Sequence, residues 1–556
     1  MSDPVDLLLR GRVVNVATGT VEEGAVAIDD GEIVALAERP AERVVEGAYV
    51  APGLVDAHTH VEASMVTLPR YGEALVPKGV TGAVYDPHEV ANVLGASGVR
   101  AFAAGSEHTP LKARLTVPSS VPASDLQDTG AELDPEAVAS ILDTEDAIAL
   151  GEVMNTHGLL AGEDDIHAKI RAARERGLPV DGHAPGVSGA DLSEVARFLD
   201  NDHESVAHDE AREKVEAGLR VYLREGSASK NLTALAGLVE DVNDRRLALC
   251  TDGTNVAYTD REGGVNVAVR KAISLGVDPV TAVRMASLNV AEAYGLPFGR
   301  LEPGAPADAV VLSDLESWRV EHVVVDGELD PTKDRPEPPV SELPTDTVEF
   351  DPVEPSDLAT GYDGEGPVRV RVASAVGDFQ TERLSREVPV VHVGGEPALG
   401  ADHDDDVLPM AVIERHGGDG NIGTGFAHNL GIERGAIGTT VAHDAHNCLV
   451  VGADHDAMAK VANHLRDVGG GFAVYDPDGG FTTLELPLAG LMSDAPLDTV
   501  VSDFEAVREA AERIGLSVPG GLLELTFLPL EVIPTYRLTN NGLVDVETME
   551  FVDVIE

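Results

Sequence analysis

Cysteine is nearly absent: Cys250 and Cys448 are the only two in 556 residues, which excludes a disulfide framework. Positive charge is scarce as well. Lysine and arginine together number 40 against 97 aspartates and glutamates, and only eight of the 40 are lysines. With no basic stripe to neutralise phosphates, a duplex nucleic-acid groove is excluded. Long apolar runs are missing too. None approaches the length that spans a bilayer, and the opening MSDPVDLLLRGRVVNV has no basic segment followed by an apolar one. These shortages predict a cytoplasmic protein with neither membrane nor nucleic acid as partner.

What is abundant is negative charge, a formal net of -57, spread through every segment rather than gathered in one tail. Hydrophobic residues still make up 43% of the chain, enough for a folded core. The acidity therefore reads as a surface property of the whole fold, suited to the very salty cytoplasm of an extreme halophile, where salt screens the self-repulsion.

The chain divides by texture. Residues 1-50 and 301-345 are strand-like, with Gly and Asp at the turns, and are expected to pair as a small β-sandwich built from both flanks of a central domain; the first run reads as an antiparallel meander. Residues 51-300 alternate apolar strand-like runs with helical ones. Eight candidate strands lie at 53-57, 81-85, 113-118, 147-153, 179-182, just before 203, at 220-223 and at 247-250, the count and length of a (β/α)8 barrel. Helices are expected at 164-176, 209-217 and 232-239. The Pro- and acid-rich 346-365 reads as an exposed linker, and 366-556 as a mixed α/β domain with helices at 456-465 and 504-514.

One stretch orders the rest. In Asp56-Ala57-His58-Thr59-His60 the side-chain period of a strand puts His58 and His60 on one face, able to hold a cation together. Other strands end in polar donors as well: Glu152 in GEVMN, His183 in DGHAPG, His203 in DHE and Asp252 in CTDG. In such a barrel the chemistry sits at these C-terminal strand ends. Six nitrogen and oxygen donors suit two divalent ions about 3.5–4 Å apart. We expect His58, His60 and Asp252 on the buried ion, His183 and His203 on the outer one, and Glu152 bridging. A set without thiolate suits Zn, Mn or Fe(II) and does not choose among them.

Beyond the donors, PGLVDAHTHVEASM (52-65), YDPHEVANVLG (85-95), GEVMN (151-155), DGHAPGVSGADL (181-192), DHES (202-205), REGSASKNL (224-232), AVIERHGGDGNIGTGF (411-426) and TVAHDAHNCLVVG (440-452) together resemble the adenine deaminases of the amidohydrolase superfamily. The resemblance runs nearly end to end. It implies a metal-dependent barrel with a C-terminal domain, two divalent ions with Mn(II) or Fe(II) favoured over Zn(II), a homodimer or higher oligomer, and hydrolysis of adenine to hypoxanthine and ammonia. The alternatives are a relative acting on a cyclic amide or another purine, and a non-catalytic purine-binding protein.

For that reaction Asp252 is the expected proton acceptor, with one oxygen left free beside the attacking water. Glu89, Glu204 and Glu225 are candidate donors to N1 and the leaving amine, and Glu225 reads equally well as a partner in a local ion pair. His88 shares the uncertainty of its neighbour Glu89 between substrate contact and metal donor. His443, Asp444, His446 and Asn447 follow an apolar strand-like run and either close over the site or hold an interface. The family carries a second Asp after Asp252, where this chain has Gly253; Asn255 and Asp260 are the nearest polar residues able to take over its contact.

Overall fold

The computed structural model describes residues 4–227, 229–333, 335–377 and 379–556, so Met1 to Asp3 of the first strand-like flank and Ala228 of the REGSASKNL stretch lie outside the described residues. Two compact units emerge. The first comprises residues 1–87, 102–120 and 134–340; the second comprises 88–101, 121–133 and 341–556.

The first unit opens with β1 (Val5–Asn15), β2 (Thr20–Asp29), β3 (Glu32–Ala35) and β4 (Ala41–Pro52). β1 and β2 pair antiparallel, but β4 returns parallel to β1, so the expected simple meander is replaced by a crossover. The cause is the short β3. It occupies the outer edge of β2, and the chain must cross back to reach the open edge of β1. A register shift between Arg10 and Arg12 lets Gly11 lie against the Gly47 carbonyl, where a Cβ would sit 2.6 Å from the oxygen.

The central domain then supplies β5 (Leu54–His60), β6 (Val80–Tyr85), β7 (Lys112–Val117), β8 (Ala147–Val153), β9 (Val180–Gly182), β10 (Asn201–Asp202), β11 (Arg220–Arg224) and β12 (Leu247–Cys250). The two-residue β13 (Asp252–Gly253) prolongs the last of these and pairs with β5. All these pairings are parallel, and the strands are buried on both faces, which is why they read as near-continuous apolar runs. They form two hydrogen-bonded arcs, β13-β5-β6-β7-β8-β9 and β10-β11-β12.

Side chains take over where the ladder lapses. Asn201 Oδ1 accepts the Gly182 N–H at 3.1 Å between β9 and β10. Asp56 accepts both the N–H (3.1 Å) and the hydroxyl (2.7 Å) of Thr251 where β12 meets β5. Buried backbone groups must find partners somewhere, and here polar residues inside the barrel supply them.

After the barrel, β14 (Ala309–Asp314), β15 (Arg319–Val325) and β16 (Glu328–Leu329) rejoin the first strands in one order, β16-β15-β14-β4-β1-β2-β3. Leu7, Leu9, Val26, Ile28, Val50 and Val311 share one apolar cluster of this sheet, while Val5, Leu8, Ala25 and Ala27 form another. The helix expected over 232–239 is split into Leu232–Leu235 and Leu238–Asp241 around Ala236-Gly237, where glycine weakens the helix.

The second unit is built on an eight-stranded sheet running from Gln380–Val388 to Gly480–Glu485. The helix His455–Val468 is started by the Asp454 carboxylate on the Ala457 N–H (2.8 Å) and stopped by Gly469 at φ 82°. Its Met458, Val461 and Leu465 pack with Ile413 and Val450. Val353 and Leu358, in the segment that reads as an exposed linker, belong to the same core, because their two apolar side chains are buried while the surrounding acids stay outside. The helix Leu497–Arg513 is longer than expected from 504–514. No helix among the described residues is long and apolar enough to cross a membrane.

Candidate metal centre

The C-terminal end of β5 places His58 and His60 on the same side, with their Nε2 atoms 3.2 Å apart. His60 Nδ1 lies 2.9 Å from the Asp86 carbonyl, which can only accept. That bond takes the proton of Nδ1 and turns Nε2 toward His58, the usual way an outer partner orients a metal-binding imidazole. Glu152 is the penultimate residue of β8, and its N–H donates to Asp86 Oδ2 at 2.9 Å. Gly151 is required here, since a Cβ would lie 2.1 Å from the same carboxylate oxygen.

The two oxygens of Glu152 divide the site. Oε1 stands 3.3 Å from His60 Nε2 and 4.0 Å from His58 Nε2. Oε2 stands 2.6 Å from His183 Nδ1 and 3.2 Å from His203 Nε2. Asp252, in the left-handed region at φ 64°, brings Oδ1 to 3.2 Å from His60 Nε2 and 3.8 Å from His58 Nε2. The structure thus brings all six predicted donors together, grouped on the two sides of one carboxylate.

This arrangement fits two divalent cations. Facing imidazole nitrogens and two carboxylates, all largely buried and without thiolate, are a hard-to-borderline donor set whose uncompensated charge would be costly in such a dry place. Burial, with His203 and His60 beside it, keeps His58 well below the usual imidazole range. Burial works against the charge of Asp252, yet Arg224 and His60 hold its carboxyl well below the usual range.

Arg224 is the residue that strand-end reasoning missed. It is 6% exposed, and Nη1 bonds both Glu204 and, at 3.0 Å, Asp252 Oδ2. The oxygen of Asp252 expected to be free is therefore taken, because a buried guanidinium must find carboxylate partners. The available signal was an arginine closing the apolar run Val221-Tyr222-Leu223.

Glu204 stands 3.6 Å from His203 Nε2 and 3.9 Å from His183 Nδ1, at the centre. Glu225 instead accepts from Lys271 Nζ at 2.6 Å, the ion-pair reading of its two, with a partner that is distant in sequence and not local. Asn255 caps the helix Val256–Arg261, its Oδ1 accepting the Tyr258 N–H at 2.9 Å. That bond commits its Oδ1 to the backbone.

The remaining predicted residues gather within the second unit. Glu89 lies between His443 Nδ1 (2.7 Å) and His446 Nε2, and His88 Nε2 is 3.5 Å from its Oε1 and 3.8 Å from Asp444. Burial opposes ionisation of Glu89, but His443, His88 and His446 hold its carboxyl well below the usual range. Burial also opposes charge on His443, and Glu89 nevertheless raises its pKa. Asn447 serves the backbone, donating to the Asp128 carbonyl at 2.9 Å.

Comparison with known proteins accounts for both units. Residues 49–329 match the amidohydrolase family and residues 379–550 match the adenine deaminase C-terminal domain. Adenine deaminase of Desulfatibacillum aliphaticivorans is 37% identical over 567 aligned positions, covering 100% of this chain and 98% of the relative. That of Brucella suis biovar 1 (strain 1330) is 38% identical over 99% of this chain and 94% of its own. That of Salinibacter ruber is 36% identical, with 99% of each chain covered. Full-length likeness at this level, on a barrel that assembles all six donors, places the chain in the adenine deaminase family of the amidohydrolase superfamily.

Proposed function

We propose that the protein hydrolyses adenine to hypoxanthine and ammonia. The observation that carries this reading is the division of the Glu152 oxygens between the His58–His60 pair and the His183–His203 pair, within a chain related along its length to adenine deaminases. Bound by these residues, divalent cations supply a nucleophilic water at neutral pH and compensate charge as water adds to C6. Family resemblance favours Mn(II) or Fe(II) over Zn(II).

The protein's own groups handle the protons. Asp252 takes the proton of the attacking water at Oδ1, since Arg224 occupies Oδ2. Glu204 protonates N1 as the C6–O bond forms, Asp252 passes the proton it has taken to N6, and the C6–N6 bond then breaks, so that ammonia leaves and the C6 hydroxyl proton returns to Glu204. Its support is proximity: it stands within 4 Å of both His183 and His203, whereas Glu225 is held by Lys271. Glu89, the other acid predicted for this role, is held ionised by its histidine neighbours in the second unit, which disfavours it as a proton donor.

We also read a cytoplasmic, salt-adapted protein, on the strength of two buried free cysteines and the net charge of -57, and a homo-oligomer on the family resemblance alone. The test is ammonia release from adenine, guanine and hydantoin, with metal content measured on the same preparation in molar KCl. Activity on adenine with two equivalents of metal is the expected result; guanine or hydantoin turnover without adenine turnover would overturn it.

A further inference from the structure

Lys214 is one of only eight lysines and is fully buried at 0% exposure. It lies on the helix His208–Glu216, outside the donor set. Its ammonium has three acceptors: the Ala184 carbonyl at 2.7 Å, Asp202 Oδ2 at 2.9 Å and Glu210 Oε1 at 2.9 Å. Three N–H donors meet three acceptors, so nothing on the ammonium is left over.

The position of those acceptors is what matters. Ala184 is the residue after His183, and Asp202 is the residue before His203. The same Asp202 closes a second bond to Ala184, Oδ1 accepting its N–H at 2.9 Å, and Oδ2 accepts the Ser205 N–H and hydroxyl at 3.1 and 2.8 Å. Glu210, one turn before Lys214, accepts from the Gly186 N–H (2.9 Å) and the Val206 N–H (3.1 Å). One ion pair and its helical neighbour thereby tie the backbone just after β9 to the backbone just after β10. None of these bonds touches His58, His60 or Asp252.

We propose that Lys214 is a positioning residue for the outer of the two cation sites: by joining Ala184 to Asp202 it fixes the spacing of His183 and His203. The proposal rests on the two-cation reading above and goes beyond it by assigning the two ions different supports. A salt bridge that merely stabilised the fold would affect both ions alike. A clamp acts on one, because only His183 and His203 hang from the clamped backbone.

The test is chelator-driven release from protein loaded with two equivalents of Mn(II), followed by residual metal content in molar KCl well below the melting temperature. Lys214→Met is expected to lose one equivalent about tenfold faster than wild type or more, the scale of outer-shell effects on metal affinity, while the second leaves at the wild-type rate. Deleting the lysine strands Asp202 as a buried charge, so the same measurement on Glu210→Gln decides the matter if Lys214→Met does not fold. There the acceleration should again be confined to one equivalent, and several-fold. Wild-type release of both ions, or equal acceleration of both, would overturn the clamp. Adenine turnover by the loaded wild type is scored separately, so failure of the deaminase reading is distinguishable from failure of the clamp.

Discussion

Arg224 Nη1 donates to Asp252 Oδ2 at 3.0 Å, while Asp252 Oδ1 faces His60 Nε2 at 3.2 Å. The carboxylate that ends the barrel is thus held at both oxygens by groups from other strands. Arg224 also holds Glu204, so one guanidinium sets the place of two acids. Arg224→Gln should lower kcat by about a hundredfold or more, the scale of a positioned acid or base. Arg224→Lys should recover little, because a single ammonium cannot reproduce the planar fork. Steady-state kinetics at matched metal content checks this; activity of either variant within twofold of wild type would refute it.

Glu152 sets one oxygen against each histidine pair. Glu152→Gln replaces a charged carboxylate with two acceptor oxygens by an amide with one. Turnover should fall by orders of magnitude, with loss of at least one equivalent of metal. Full metal content with near-normal activity would argue against bridging.

Gly253 stands where the family resemblance implies a second carboxylate. A Cβ at this position would lie 3.0 Å from the Ala63 Cβ, so Gly253→Asp must displace its neighbour by a few tenths of an ångström. We expect a loss of about 1 kcal/mol in stability from the crowding and no gain in kcat, while Asp252→Asn should abolish turnover. A rise of about tenfold in kcat for Gly253→Asp would mean that the absent carboxylate is the proton carrier.

Glu531 gives the second unit a pH dependence. Burial pushes its carboxyl up to about 7, although Ser124 Oγ (2.6 Å) and Gln127 donate to it. Its folded pKa is above the unfolded value, so the folded state holds the proton more tightly. Stability from this group is therefore greatest below about pH 4.5, declines as pH rises toward 7 and is flat above. The decline is of order 3 kcal/mol. Glu531→Gln should remove it and melt higher than wild type at pH 8, its amide free to donate to Gln127 Oε1, which has no hydrogen-bond partner among the described residues. Thermal melts of both proteins from pH 5 to 8 test this, and parallel curves would disprove it.

The acidic surface predicts a salt response. With 97 acidic residues against 40 basic ones, self-repulsion should destabilise the fold in dilute buffer, and molar KCl should raise the melting temperature. Melting that stays flat between roughly 0.1 and 3 M KCl would show that the charge carries no such penalty.

The sequence by itself determined the barrel strands and the six donors. Strands buried on both faces leave continuous apolar runs, and a donor that ends such a run is marked by position alone, as His58, Glu152 and Asp252 are. What only the tertiary structure decided are the partners. Arg224, Lys214 and Asp56 act on residues that are 28, 30 and 195 positions away, and no local period records such a pairing. The two readings of Glu225, acid or ion pair, separate only when Lys271 arrives from another helix. The parallel return of β4, likewise, depends on which edge of β1 is open, a property of the assembled sheet and not of any stretch of chain. Periodicity reports which face of an element is buried; it does not report which polar group waits there.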